Sequence, residues 1–132
     1  MIRLRNIDRT YPLAKQQFFY VLRDINLDVA EGDFVSIMGP SGAGKTSLLK
    51  LLFLSIRPTR GLVNLFGHDV SLLQKEEIAN LRKRIGIVLQ DFRVLEHMTT
   101  YENVTLPFRV IGRGEESYRK DVYGLTKWVG RV

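Results

Sequence analysis

The chain has 132 residues, 45% hydrophobic and 26% charged, with no cysteine and a formal net charge of +6. That length fits one domain, and the composition is that of a core-forming globular chain, which excludes collagen-like, low-complexity and disordered classes. Without cysteine there is neither a disulfide framework nor a thiolate metal site, and two isolated histidines do not make a zinc constellation.

From the amino terminus, Met1-Ile2-Arg3-Leu4-Arg5-Asn6-Ile7-Asp8 alternates charge with apolar residues, which is the pattern of a strand and not of a signal peptide. Tyr11 to Gln17 has no clear period and contains Pro12, so a connecting loop is expected there. Ile25, Leu27 and Val29 then alternate strictly, predicting a half-buried strand antiparallel to the first. Glu31-Gly32-Asp33 reads as a turn. After it, Phe34-Val35-Ser36-Ile37-Met38 is short and mostly apolar, the pattern of a strand buried on both faces.

A glycine-rich segment, Gly39 to Gly44, leads into a helix from Lys45 whose apolar residues Leu48, Leu49, Leu52 and Ile56 keep helical spacing as far as Pro58. The longest apolar run here, Leu48 to Ile56, is interrupted by Lys50 and is much shorter than the roughly 20 residues that cross a bilayer. Gly61 to Gly67 predicts another strand, and Leu73 to Lys83 a helix with a polar face. Ile85-Gly86-Ile87-Val88-Leu89 predicts a second buried strand, parallel to the one at 34–38 because the connection is long enough for a crossover. Thr99 and Glu102 have the spacing of a capping box for a short helix bounded by Pro107. Tyr118, Val122, Leu125 and Val129, with Trp128 beside them, mark the face of a last helix.

The most informative segment is Gly39-Pro40-Ser41-Gly42-Ala43-Gly44-Lys45-Thr46, a G-x-x-x-x-G-K-[ST] pattern between a predicted strand and a predicted helix. Glycines let the backbone turn tightly enough to aim successive amides at an anion. The helix start adds its unpaired amides and the positive end of its dipole. Lys45 supplies a point charge for terminal phosphates, and the Thr46 hydroxyl suits a magnesium ion. A GTPase or small-molecule kinase begins with the same loop, but no N-K-x-D tetrapeptide follows. Basic residues such as Arg82, Lys83 and Arg84 are accompanied by no DNA- or RNA-binding motif, so nucleic acid is not an expected partner.

Extended through Ser47-Leu48-Leu49, the loop resembles the Walker A segment of ATP-binding cassette (ABC) transporter ATPase subunits. Tyr11 resembles that family's adenine-stacking aromatic, and Gln90, after Ile85 to Leu89, its Q-loop glutamine. Three segments, residues 52–61, 66–70 and 90–95, look most like the bacterial cell-division ATP-binding subunit of the FtsE type, with lipoprotein-release and macrolide-export subunits as near relatives. The resemblance implies an α/β P-loop NTPase fold of ABC type, truncated, with an N-terminal antiparallel β part and an incomplete helical subdomain. It divides the chain into residues 1–33 (antiparallel β part), 34–106 (P-loop core to Q-loop) and 107–132 (start of the helical subdomain).

The same resemblance implies ATP and Mg2+ as ligands. Tyr11, Gly39, Pro40, Ser41, Gly42, Ala43, Gly44, Lys45, Thr46 and Ser47 would bind the nucleotide. Thr46 and Gln90 would serve the metal, and Lys45 and Gln90 the chemistry. It implies an integral membrane subunit and a second ATP-binding subunit as partners, with residues 91–101 receiving the membrane subunit through Phe92 and Leu95. The expected location is cytoplasmic, peripheral on the inner face of the cell membrane. The 132 residues contain no LSGGQ signature, Walker B carboxylates or switch histidine. The expectation is therefore a chain that binds ATP at most, and whose apolar terminal helix face promotes self-association.

Overall fold

The computed structural model describes residues 1–13, 17–88 and 94–113. They fall into two compact units divided at Ile87/Val88. In the first, strand β1 (Ile2–Pro12) pairs antiparallel with β2 (Phe18–Val29) on one side and with β3 (Arg60–Leu65) on the other. A short β4 (His68–Asp69) closes the sheet in the order β2-β1-β3-β4.

Alternation does the work expected of it. Leu4 and Ile7 of β1, Leu22 of β2, and Val63 and Leu65 of β3 point to one side and are buried. They pack with Leu51 and Leu54 at the end of α1 (Lys45–Leu52), with Val70, and with Ile78 and Leu81 of α2 (Lys75–Arg82). Leu4 and Ile7 share a face although three residues apart, because β1 carries a register shift between them, with Asn6 at φ 48°. Gly61 is required beside that bulge: a Cβ there would stand 2.4 Å from the Asn6 carbonyl oxygen and 2.6 Å from that of Arg5.

The first helix stops earlier than its apolar spacing predicts. It ends at Leu52, and Leu54 closes it with a left-handed backbone, φ 61°, which in a leucine has no sequence signature. Burial of the Leu54 side chain in the core holds that conformation, and Arg82 at the end of α2 donates to the Leu54 carbonyl. The stretch expected as a loop around Tyr11 and Pro12 is instead the end of β1, where Tyr11 pairs with Phe19.

The larger correction concerns the two segments expected as parallel strands. Neither residues 34–38 nor residues 85–88 belong to a ladder, and the described sheet is antiparallel throughout. Phe34 is 98% exposed, Met38 86% and Val88 100%. A parallel strand needs a neighbour along its edges and cover on both faces, and the described residues provide neither for these two segments.

In the second unit, helix α3 (Thr100–Val110) begins at the capping box read from the sequence. The Thr99 hydroxyl accepts from the Glu102 amide at 3.2 Å, and the Glu102 carboxylate accepts from the Thr99 amide at 2.8 Å. Pro107 does not bound this helix but lies within it, and the helix runs on to Val110. The side chain of Asn103 donates to the carbonyls of Leu95, Met98 and Thr99, which fixes the turn leading into α3. The terminal helix expected through Tyr118, Val122, Leu125, Trp128 and Val129 lies outside the described residues.

Candidate functional site

Residues 39–46 leave the extended segment at 34–38 and turn into α1. Three glycines provide the turn: Gly39 at φ 156°, Gly42 at φ 79° and Gly44 at φ 87°. The Ala43 amide donates to the Pro40 carbonyl at 3.3 Å, closing the loop on itself, and Leu48 donates to the Gly44 carbonyl at 2.9 Å as the first bond of the helix. Gly44 is the helix N-cap, and its requirement is steric as well as conformational. A Cβ there would stand 2.5 Å from the Val21 carbonyl oxygen and 3.1 Å from a Leu22 methyl. The loop is thus seated against β2 by the one residue type that fits.

The start of α1 differs chemically from the other two helix starts. Gly44 offers no side chain to cap the first amides, and no acidic residue occupies the first turn. In α2 the Glu77 carboxylate accepts from the Gln74 amide at 2.8 Å, with Glu76 beside it, and in α3 Glu102 serves Thr99. The positive end of α1 is therefore left for an external anion, and an oxyanion fits it. The half-buried Lys45 side chain turns back over the loop, its ammonium donating to the carbonyls of Gly39 and Pro40, both at 2.7 Å. A phosphate oxygen would be a stronger, charge-assisted acceptor for that ammonium than either carbonyl.

The Thr46 hydroxyl stands in the first turn of α1 and is exposed. It is a hard oxygen donor of the kind magnesium takes together with phosphate oxygens, which is how that ion is commonly held. Thr46 therefore fits the metal, while the described residues contain no group of three or more acidic or histidine side chains that could hold one without a phosphate.

Tyr11 reaches the same neighbourhood through the register of the hairpin. Arg9 pairs with Leu22, Thr10 with Tyr20 and Tyr11 with Phe19. Leu22 is also, with Val21, a residue that a side chain on Gly44 would strike, so the end of the glycine-rich loop abuts the hairpin two residues from the Tyr11 position. Tyr11 is 41% exposed, with the guanidinium of Arg9 over its ring at 4.6 Å. Sequence reasoning singled out Tyr11 but missed both Arg9 and the Val21/Leu22 wall. Arg9 carries no motif, though its i, i+2 spacing from Tyr11 on a strand puts the two side chains on one face.

Gln90 and Phe92 lie outside the described residues. Leu95 is described and is 37% exposed. It is held by backbone bonds to the Asn103 side chain, whose oxygen accepts from the Leu95 amide at 2.8 Å.

A model of the ABC transporter family matches residues 22–132. The chain is 40% identical over 117 residues to an uncharacterized ABC transporter ATP-binding protein, YknY, of Bacillus subtilis, covering 88% of this chain and 50% of that protein. It is 35% identical over 130 residues to the methionine import ATP-binding protein MetN of Cupriavidus metallidurans, covering 98% of this chain and 38% of MetN. Among solved structures it superposes on the dimeric cassette MJ0796 of Methanocaldococcus jannaschii with a TM-score of 0.83 and 38% identity, over 91% of this chain and 53% of that one. A second structure of MJ0796, in a post-hydrolysis state with ADP and Pi, gives a TM-score of 0.82. The chain thus spans about half the length, or less, of the relatives it matches. Its fold is the P-loop NTPase fold of the ABC cassette, with an antiparallel N-terminal sheet.

Proposed function

The chain belongs to the ABC transporter family of ATP-binding proteins, and from that premise we propose that residues 39–47 bind the phosphates of ATP while Tyr11 stacks on the adenine. The observation that carries this reading is the start of α1, which lacks both a side-chain cap and an acidic first turn, and which has Lys45 folded over the adjoining loop. The loop amides and the helix dipole hold phosphate oxygens, Lys45 neutralises their charge, and Thr46 together with those oxygens holds Mg2+. The ion's chemistry is to neutralise charge on the outer phosphates. Support for a nucleotide as the ligand comes from the relative MJ0796, whose cassette was solved with ADP and Pi.

Binding, and not turnover, is the property assigned to these 132 residues. Catalysis of phosphoryl transfer depends on groups that position water and stabilise charge on the transferring phosphoryl, and the sequence supplies none of the family's signature, Walker B or switch motifs. In the whole protein the activity is coupling of ATP binding and hydrolysis to an integral membrane subunit, with a second ATP-binding subunit opposite and the complex on the inner face of the cell membrane. A role in cell division of the FtsE type rests on the resemblance of residues 52–61, 66–70 and 90–95. Methionine import is the second reading, favoured by the extent of the match to MetN, which covers 98% of the chain. Gln90 is assigned to the metal or the attacking water, and residues 91–101 to the membrane subunit. Self-association of the chain is supported by the exposure of Phe34, Met38 and Val88.

Retention on immobilised ATP tests the binding reading. The expected result is Mg2+-dependent retention released by free ATP, with the Mg2+ dependence lost in Thr46→Ala. Retention that is indifferent to both magnesium and this substitution contradicts it.

A further inference from the structure

We propose that Arg9 is a positioning residue for the nucleotide base, setting the Tyr11 ring in place from behind and thereby contributing to selectivity for a base-bearing ligand. This rests on the reading of Tyr11 as the adenine contact. Four observations carry it. The Arg9 guanidinium lies 4.6 Å from the centre of the Tyr11 ring, so one face of the ring is occupied by a cation while Tyr11 as a residue remains 41% exposed. Arg9 Nη1 donates to the Arg57 carbonyl at 3.0 Å, which anchors the guanidinium to the segment that follows the phosphate-loop helix. Arg9 Nε is buried with no hydrogen-bond partner among the described residues.

The fourth observation is the clamp beside it. The Thr59 hydroxyl accepts from the Thr10 amide at 3.1 Å and shares a 3.2 Å hydroxyl contact with Thr10, while the Thr59 amide donates to the Asp8 carbonyl at 2.8 Å. The end of β1 is therefore tied on both sides of Arg9 to the turn after α1.

A buried nitrogen without a partner is costly and calls for a reason. Here the π face of Tyr11 is the compensating neighbour. A guanidinium prefers to lie over an aromatic face, and the Arg57 carbonyl fixes its place. The ring cannot turn away without removing the cover from the Arg9 cation. An aromatic ring held in one orientation, with one face taken, stacks on a base with less loss of freedom than a mobile ring does. The loop at 39–47 recognises phosphate regardless of what the phosphate is attached to. Arg9 through Tyr11 makes attachment to a base count.

The experiment compares the affinities of ATP-Mg and inorganic tripolyphosphate-Mg for the unaltered chain, Arg9→Ala, Arg9→Lys, Tyr11→Ala and the Arg9→Ala/Tyr11→Ala pair. Arg9→Ala is expected to weaken ATP about three- to tenfold, the range of a partly desolvated cation–aromatic contact, and to leave tripolyphosphate unchanged. Arg9→Lys, which keeps a cation over the ring, recovers most of the ATP affinity. In the Tyr11→Ala background the Arg9 substitution adds no further loss.

Equal losses for ATP and tripolyphosphate, or additive losses in the pair, overturn the proposal and make Arg9 a general structural residue. If Tyr11→Ala weakens ATP and neither Arg9 substitution does, this inference alone fails. If Tyr11→Ala leaves ATP affinity intact while Lys45→Ala removes it, the adenine reading of Tyr11 fails and takes this inference with it. No saturable ATP binding by the unaltered chain overturns both. Should Arg9→Ala not fold, Arg9→Met, which keeps the length of the side chain and removes the cation over the ring, takes its place: a loss of ATP affinity with tripolyphosphate unchanged supports the proposal, and unchanged ATP affinity overturns it.

Discussion

The starts of α1 and α3 solve the same electrostatic problem in opposite ways. Each helix presents amides with no intrahelical partner and the positive end of a dipole. At α3 the chain answers its own need: Thr99 and Glu102 exchange hydrogen bonds, and the carboxylate sits where the dipole favours it. At α1 the N-cap is a glycine, the first turn has no carboxylate, and the nearby charge is the ammonium of Lys45. A self-satisfied helix start is a structural device. One left open beside a lysine is, on the proposed reading, a binding device, and that reading sets residues 44–47 against residues 99–102 as function against stability.

Substitutions in the two starts should therefore report different quantities. The largest effect on folding is expected from Gly44→Ala, whose Cβ meets the Val21 carbonyl at 2.5 Å in a left-handed backbone. A loss of about 3 kcal/mol in chemical denaturation is expected. Gly42→Ala is the control for backbone strain alone, since nothing lies within 4 Å of the added carbon. It should cost only about 1 kcal/mol. Equal costs at the two positions would mean that the seat against β2 does not hold the loop.

At the capped start, Thr99→Ala is expected to remove about 1 kcal/mol and lower helical circular dichroism, with no change in ATP affinity. An ATP effect comparable to that of a loop substitution would erase the contrast. The reverse manipulation sharpens it: Ser47→Glu places at the third position of α1 the residue type that α3 has there. It should stabilise α1 by about 0.5 kcal/mol while weakening ATP binding, a gain of one property at the expense of the other. Stability and affinity moving together would contradict the account.

The smallest expected effect is a dependence on pH confined to α3. The Thr99 amide donating to the Glu102 carboxylate, with the Thr99 hydroxyl as a second donor, holds this group below the ordinary carboxylate range. A carboxylate whose folded value is depressed stabilises above its unfolded value and loses that contribution as pH falls through the folded one. Acid titration should thus loosen α3 from the ordinary carboxylate range downward. The Glu102→Gln variant should lack that dependence, as read by the resolved amide signals of residues 100–110.

What the sequence made legible follows from how local each signal is. The glycine turn of residues 39–44 into α1, the capping box and the hairpin alternation of Ile25, Leu27 and Val29 are written in nearby residues, and all three describe the structure. The early stop of α1 at Leu54 was not legible, because a left-handed leucine is chosen by burial in a core assembled from β1, β3 and α2. Arg9 escaped notice for a similar reason: its meaning lies in Tyr11 and the Arg57 carbonyl, and the latter is 48 residues away. The segments 34–38 and 85–88 have the composition of buried parallel strands yet stand outside any ladder. A strand's composition records the neighbours it is suited to, and in this structure those neighbours are not among the described residues.

The central claim, that the open start of α1 is a nucleotide phosphate site, is tested most directly by calorimetric titration of the chain with ATP-Mg beside Lys45→Ala. The account predicts a saturable, one-to-one heat for the unaltered chain and an affinity reduced by about a hundredfold or more in the variant, about 2.7 kcal/mol for charge-assisted bonds to an anion. Binding of equal strength in both proteins, or none in either, would contradict it.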